Sequence, residues 1–135
     1  MIDVYCDGGS RGNPGPAAYG FVVKKNSKTI KEEGGYIGVA TNNVAEYTAL
    51  VEALMWLSGD FAKEDLIIYL DSQLVVSQMS GFYKVKNAKL RELIFKVRQL
   101  EANFGKISYR HVVRAKNKEA DKLLNLALNA HDSQI

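Results

Sequence analysis

The hydrophobic period of this 135-residue chain changes near residue 43, and no other feature limits its possible folds so strongly. Before that point the pattern is that of strands. Ile2, Val4 and Cys6 alternate with Asp3, Tyr5 and Asp7, which predicts a strand over 2–7. GGSRGNPGP then reads as a glycine- and proline-rich turn. Ala17–Lys25 and Thr29–Ile37 are two further strands joined at Asn26–Ser27. Gly34–Gly35 weakens the third strand and points to a bulge or an edge position. After the change, Val44, Tyr47, Val51, Leu54 and Met55 recur at helical spacing, which predicts a helix over 43–58 stopped by Gly59.

The remainder alternates between the two patterns. Leu66–Leu70 (LIIYL) is a short buried strand, and 72–80 is a short helix closed by Gly81. Leu90, Leu93, Ile94, Val97 and Leu100 mark a helix capped by Asn87 and ended near Gly105. Ile107–Val113 is a fifth strand, and Asn117 caps a last helix carrying Ala120, Leu123, Leu124, Ala127 and Leu128 on one face. The order is βββ-α-β-α-α-β-α. Short turns make the first three strands an antiparallel meander, and strands reached through helices should run parallel to the first. An α/β fold with sheet order 3-2-1-4-5 and helices on both faces satisfies these rules. One domain over 1–130 with a frayed tail over 131–135 is expected.

Four acids fall where these elements end or begin: Asp7 in DGGSRGNPG, Glu46 in TNNVAEY, Asp71 in YLDSQ and Asp121 in NKEAD. Each has an ordinary local explanation. Asp7 suits a turn, Asn43 and Glu46 match a capping box, Asp71 is placed to cap a helix, and Asp121 is favoured by the dipole of the last helix. In the expected sheet, however, Asp7 and Asp71 end neighbouring parallel strands, at the edge where open α/β sheets bind ligands. Glu46 and Asp121 lie in first turns of the helices that follow strands three and five. Capping does not explain why four acids should gather there. A divalent cation does, since it relieves their mutual repulsion.

The charge distribution fits such a site. Residues 1–83 carry 6 basic and 10 acidic side chains, whereas 84–122 carry 12 basic and 4 acidic. A basic segment beside an acidic cluster reads either as a polyanion-binding surface or as solvated helix faces. The single cysteine, Cys6, excludes an intrachain disulfide and suits a buried position and a reducing, cytoplasmic setting. No apolar run approaches the roughly 20 residues of a membrane span, so no membrane partner is expected.

The phrases around the acids resemble those of type 1 ribonuclease H. DGGSRGNPGP followed by YGFVV, TNNVAEYTAL, DSQLVVSQMSG and NKEADKLLN match that family's motifs in order, and the similarity runs from Met1 to about Asn129. The resemblance implies a ribonuclease H-like fold and hydrolysis of the RNA strand of an RNA–DNA hybrid, leaving 5′-phosphate and 3′-hydroxyl ends. It implies two Mg²⁺ ions, with Mn²⁺ as a substitute. Asp7 and Asp71 would bridge both, Glu46 would hold one and approach a ribose 2′-hydroxyl, and Asp121 would complete the other. Gly8, Asn13, Asn42, Asn43 and Gln73 are the implied sensors of the RNA strand, and Thr41 and Asn13 would take a DNA phosphate. Tyr83 and Lys86, in the aromatic and basic GFYKVKN stretch, are implied substrate contacts, with Phe82 beside them either a contact or a hydrophobic plug. A monomer without an obligate protein partner is expected.

One segment departs from the family pattern. Many relatives place a histidine in a flexible loop before the last acid, whereas RHVVRAKNKEAD offers His111, within the predicted strand, and Arg114, at its end. Arg114 is favoured, because a guanidinium can hold a phosphate through paired hydrogen bonds, although it cannot shuttle a proton. The alternatives to a nuclease are a hybrid or double-stranded RNA binding module of the same fold and another metal-dependent phosphodiesterase. Four acids facing phosphates argue against the first, and TNNVAEY argues against the second.

Overall fold

The alternation at the start becomes strand β1 (Ile2–Ser10), with Ile2, Val4 and Cys6 fully buried and Asp3, Tyr5 and Asp7 on the other face. β1 pairs antiparallel with β2 (Gly15–Lys25), which pairs with β3 (Lys28–Ala40). Asn26 and Ser27 join β2 to β3 with φ of 52° and 66°. Positive values at both residues match the tight hairpin turns whose twist suits adjoining strands. β4 (Leu66–Leu70) pairs parallel to β1, and β5 (Ile107–His111) parallel to β4. The sheet order is β3-β2-β1-β4-β5, as the connection rules require. The computed structural model describes residues 1–81 and 84–134; Phe82, Tyr83 and Ile135 lie outside the described residues.

Helices α1 (Asn42–Asp60), α2 (Gln73–Met79) and α3 (Ala88–Glu101) build the main core with Ile2, Val4, Cys6, Phe21, Leu66, Ile68 and Leu70. α4 (Lys118–Asp132) covers the other face, with Leu124 and Leu128 against Ala18. α1 is enclosed between the sheet and α3, so it is buried on most of its circumference rather than along one stripe. Each large apolar side chain so enclosed contributes about 1.5–3 kcal/mol. Cys6 is buried, and burial, with Asp7 adding, pushes its thiol well above the ordinary range. Among the described residues no helix is long and apolar enough to cross a membrane.

Several boundaries differ from expectation for local reasons. Gly8–Ser10 pair with Ala17–Tyr19, so β1 runs into the glycine phrase and the turn narrows to Arg11–Pro14. β3 is an edge strand, and its register slips at Ile37, between Tyr36 and Gly38, and again at Ile30, between Thr29 and Lys31. α1 passes through Gly59 to Asp60. Its cap is Thr41, whose hydroxyl accepts from the Val44 N–H at 3.2 Å. The capping box of Asn43 and Glu46 therefore does not form, and Glu46 sits in the second turn. Ser72, not Asp71, caps α2. β5 ends at His111, and a 3-10 turn over Arg114–Lys116 leads into α4. α4 continues through His131 and Asp132, held by a Tyr36–His131 ring stack with centroids 3.8 Å apart and by Arg11, which binds Asn129 and Asp132.

Candidate active site

The parallel register of β1 and β4 pairs Cys6 with Leu70. The next residues, Asp7 and Asp71, therefore emerge side by side at the carboxyl end of the sheet. Glu46 arrives from above. β1 passes so close to the second turn of α1 that a Cβ at Gly8 would overlap the backbone of Ala45 and Glu46. Asp121 comes from the opposite face. Gly20 is the β2 partner of Asp7, and a Cβ there would overlap the Ala120 carbonyl oxygen. Bare backbone at Gly20 is what lets the first turns of α4 lie against the sheet beside Asp7. The four acids thus come from two strand ends and two helices on opposite faces.

Their electrostatics reflect that proximity. Asp7 is 5% exposed, and burial, reinforced by Asp71, Asp121 and Glu46, raises its carboxyl to about 8. Its Oδ1 accepts from the Gly8 N–H at 2.9 Å, whereas its Oδ2 is buried without a hydrogen-bond partner. Glu46 is 8% exposed and raised to about 7, chiefly by burial; the Ser72 hydroxyl opposes that rise and Asp71 adds to it. The Asp71 carboxyl is raised by burial against the pull of Arg114 and of the Asn117 amide, with Asp121 adding to the rise. Arg114 stands 3.8 Å from Asp121 and is 82% exposed, so this contact is mostly solvated.

An unpartnered buried carboxylate oxygen, on a group raised first by burial and then by three neighbouring acids, is a site short of positive charge. The donor set is all hard oxygen, which suits Mg²⁺ or Mn²⁺ and not softer metals. Among the described residues no three of these groups close tightly enough to hold an ion as they stand. The fit is therefore one of donor chemistry and charge rather than of a preformed shell.

The other expected residues divide. Asn13, Thr41, Asn42 and Asn43 line one cavity with Pro14, Asn87 and Lys89. Asn13 and Asn42 also lock the glycine turn to α1: the Asn42 N–H donates to Asn13 Oδ1 at 3.0 Å, and Asn42 Oδ1 accepts from the Ser10 N–H at 2.9 Å. Gln73 is exposed at the first position of α2, beyond Asp71. Lys86 is exposed before α3, and Tyr83 lies outside the described residues. His111 is exposed and pairs with Leu70 in the sheet, while Arg114 joins Asp7 and Asp121 in lining one small cavity. Two residues escaped the sequence reading. Ser72 faces Glu46, and Asn117, read only as a cap, donates its amide to the Cys6 carbonyl instead of capping α4. Polar residues at a helix start have a sufficient local explanation, so nothing in the sequence separates these from ordinary caps.

Comparison with known proteins gives a consistent picture. The RNase H family profile matches residues 1–129. The bifunctional protein Rv2228c of Mycobacterium tuberculosis is 45% identical over 134 residues, covering 96% of this chain and 36% of that protein. Ribonuclease HI of Halobacterium salinarum is 45% identical over 129 residues, covering 95% of this chain and 64% of its own. The chain therefore spans between about a third and two thirds of the length of these curated relatives. The crystal structure of LC11-RNase H1 in complex with RNA/DNA hybrid superposes with a TM-score of 0.92 at 40% identity, covering 97% of this chain and 99% of that one.

Proposed function

The chain belongs to the RNase H family, and from that premise we propose that it is an endonuclease hydrolysing the RNA strand of RNA–DNA hybrids, leaving 5′-phosphate and 3′-hydroxyl ends. The observation that carries this reading is the buried, unpartnered Oδ2 of Asp7 amid three further carboxylates. A phosphate-binding module gains nothing from burying such a cluster, because it repels the ligand. The hybrid in the LC11 complex supports the choice of substrate.

Asp7, Glu46, Asp71 and Asp121 would together hold two divalent cations, Mg²⁺ or Mn²⁺. Bound ions would activate water and neutralise the leaving oxygen of an anionic phosphodiester. The chain's own part is to hold the acids within reach and to orient the strand. Asn42 and Asn43, beside Asn13 and Thr41, present amides and a hydroxyl that can recognise a ribose 2′-hydroxyl and a phosphate. Gly8 offers a backbone contact next to Asp7, Gln73 follows Asp71, and Tyr83 and Lys86 supply contacts further along the hybrid. Arg114, beside Asp121, can take a phosphate oxygen of the cut strand.

The test is cleavage of an end-labelled hybrid. Internal cuts in the RNA are expected with Mg²⁺ and none with chelator. Asp71→Asn should abolish cutting while hybrid binding and the circular dichroism spectrum persist. Cutting that survives in Asp71→Asn removes Asp71 from the metal site. A parent protein that binds hybrid and never cuts it overturns the nuclease reading.

A further inference from the structure

A second constellation lies below the carboxylates on the same sheet face. Tyr5 precedes Asp7 by two residues on β1, and Tyr69 precedes Asp71 by two on β4, which places them one side-chain step, about 7 Å, from the acids. The register pairs Tyr5 with Tyr69 and Tyr69 with Arg110 on β5, so the three form one row across the sheet. The tyrosine rings are stacked, with centroids 4.7 Å apart and planes 14° from parallel. Lys24 Nζ sits 5.5 Å from the Tyr5 ring centre. The row continues into a cavity lined by Tyr5, Val22, Lys24 and the segment from Ala115 to Ala120.

This face is open. α4 packs over β2 and β3 and reaches only the margin of β1, leaving Tyr69 and Arg110 beyond its edge. Arg110, Lys116 and Lys118 are exposed, and among the described residues none of them has an ion-pair partner. Acids flank the row at both ends: the acidic cluster with Asp7 and Asp71 lies one step above, and below it Asp3 accepts from the Tyr69 hydroxyl at 3.1 Å, while Glu119 binds Lys24 at 2.8 Å. A half-exposed stacked tyrosine pair beside unpaired cations combines the two requirements of single-stranded nucleic acid, base stacking and backbone neutralisation. An acidic peptide would need the cations but would leave the ring faces unused.

We propose that Tyr5, Tyr69, Arg110 and Lys116 form a platform for a single-stranded nucleic-acid segment, separate from the groove that holds the hybrid. Bases stack on the Tyr69 ring, and phosphates lie toward Arg110 and Lys116. The inference rests on the reading that the chain acts on nucleic acid, but its test involves no cleavage, so the two can fail independently.

The test is fluorescence anisotropy of a labelled oligothymidylate of about 10 nucleotides, with chelator, over a salt series. Tyr69→Ala should weaken binding about tenfold, as loss of one stacked base predicts. Tyr69→Phe should bind like the parent, because the ring is kept and only the hydrogen bond to Asp3 is lost. Arg110→Gln, an exposed change that spares folding, should weaken binding and reduce the salt slope by about 1. No binding by the parent overturns the proposal. So does parent-like binding by Arg110→Gln together with Tyr69→Ala, or a Tyr69→Phe variant as weak as Tyr69→Ala, which would assign the effect to the Asp3 contact.

Discussion

Asn117 Nδ2 donates to the Cys6 carbonyl oxygen at 2.8 Å, tying the entry of α4 to β1 one residue before Asp7. The Asn117 carbonyl in turn accepts from the Asp121 N–H at 3.1 Å. One buried residue therefore links the strand that carries one acid to the helix that carries another. Asn117→Ala removes the side-chain half of this tie, and a loss of about 1–3 kcal/mol in unfolding free energy is expected. Urea denaturation measures it. Cleavage should fall further than the stability loss explains at temperatures where the variant is fully folded; equal cleavage by the folded variant would make Asn117 a purely structural residue.

Stability should depend on pH in the direction set by the raised carboxyls. Folding lifts Asp7 from 3.8 to about 8 and Glu46 from 4.5 to about 7. Between those limits the folded state holds more protons than the unfolded one, so stability falls as pH rises. With chelator present the urea midpoint should be highest near the lower limit and decline up to about pH 8. Asp7→Asn should flatten most of that slope. Mg²⁺ should restore stability at the alkaline end, because it replaces the protons. A midpoint independent of pH in chelator would contradict the arrangement.

Gly20→Ala forces a methyl into the Ala120 carbonyl oxygen, which is backbone and cannot rotate away. Helix α4 must move outward, at a cost of about 3 kcal/mol. Because Asp121 rides on that helix, the variant should also need more Mg²⁺ to reach half-maximal cleavage. A thermal melt and a Mg²⁺ titration read the two effects. Parent-like values in both would mean that α4 does not rest against Gly20.

Arg114 and His111 should part company. Arg114 stands beside Asp121 and acts on Asp71, whereas His111 is an exposed strand end paired with Leu70. Arg114→Ala should slow hybrid cleavage about tenfold, in line with loss of one charged hydrogen bond. His111→Ala should leave the rate near that of the parent. Initial rates at saturating hybrid decide between them, and the reverse ranking would return the role to the histidine.

The periods of two and of three to four residues, read along the chain, lead directly to the five-stranded order and to the pairing of Asp7 with Asp71, because register follows from alternation. Glu46 shows where such reading stops. Its spacing from Asn43 satisfies a capping box, yet Thr41 takes the cap, and Glu46 is buried one turn further in. Propensity treats all polar residues at a helix start alike, so Thr41, Asn42 and Asn43 compete on equal terms until the glycine turn engages Asn42. Asn117 was illegible for the same reason: its cap position is real, and its side chain points elsewhere. The end of β3 and the last turn of α4 were set by contacts distant in sequence, with Gly15–Ala17 and with Arg11 and Tyr36.

Asp7, Gly20 and Gly34 form a single row across β1, β2 and β3, and α4 rests on the two glycines. The spacing between helix and sheet is thus recorded as two missing side chains. Substituting either glycine would retune the gap between Asp7 and Asp121 without altering any acid, so the two glycines give evolution or design a way to adjust how tightly the proposed site would hold its cations while leaving every carboxylate in place.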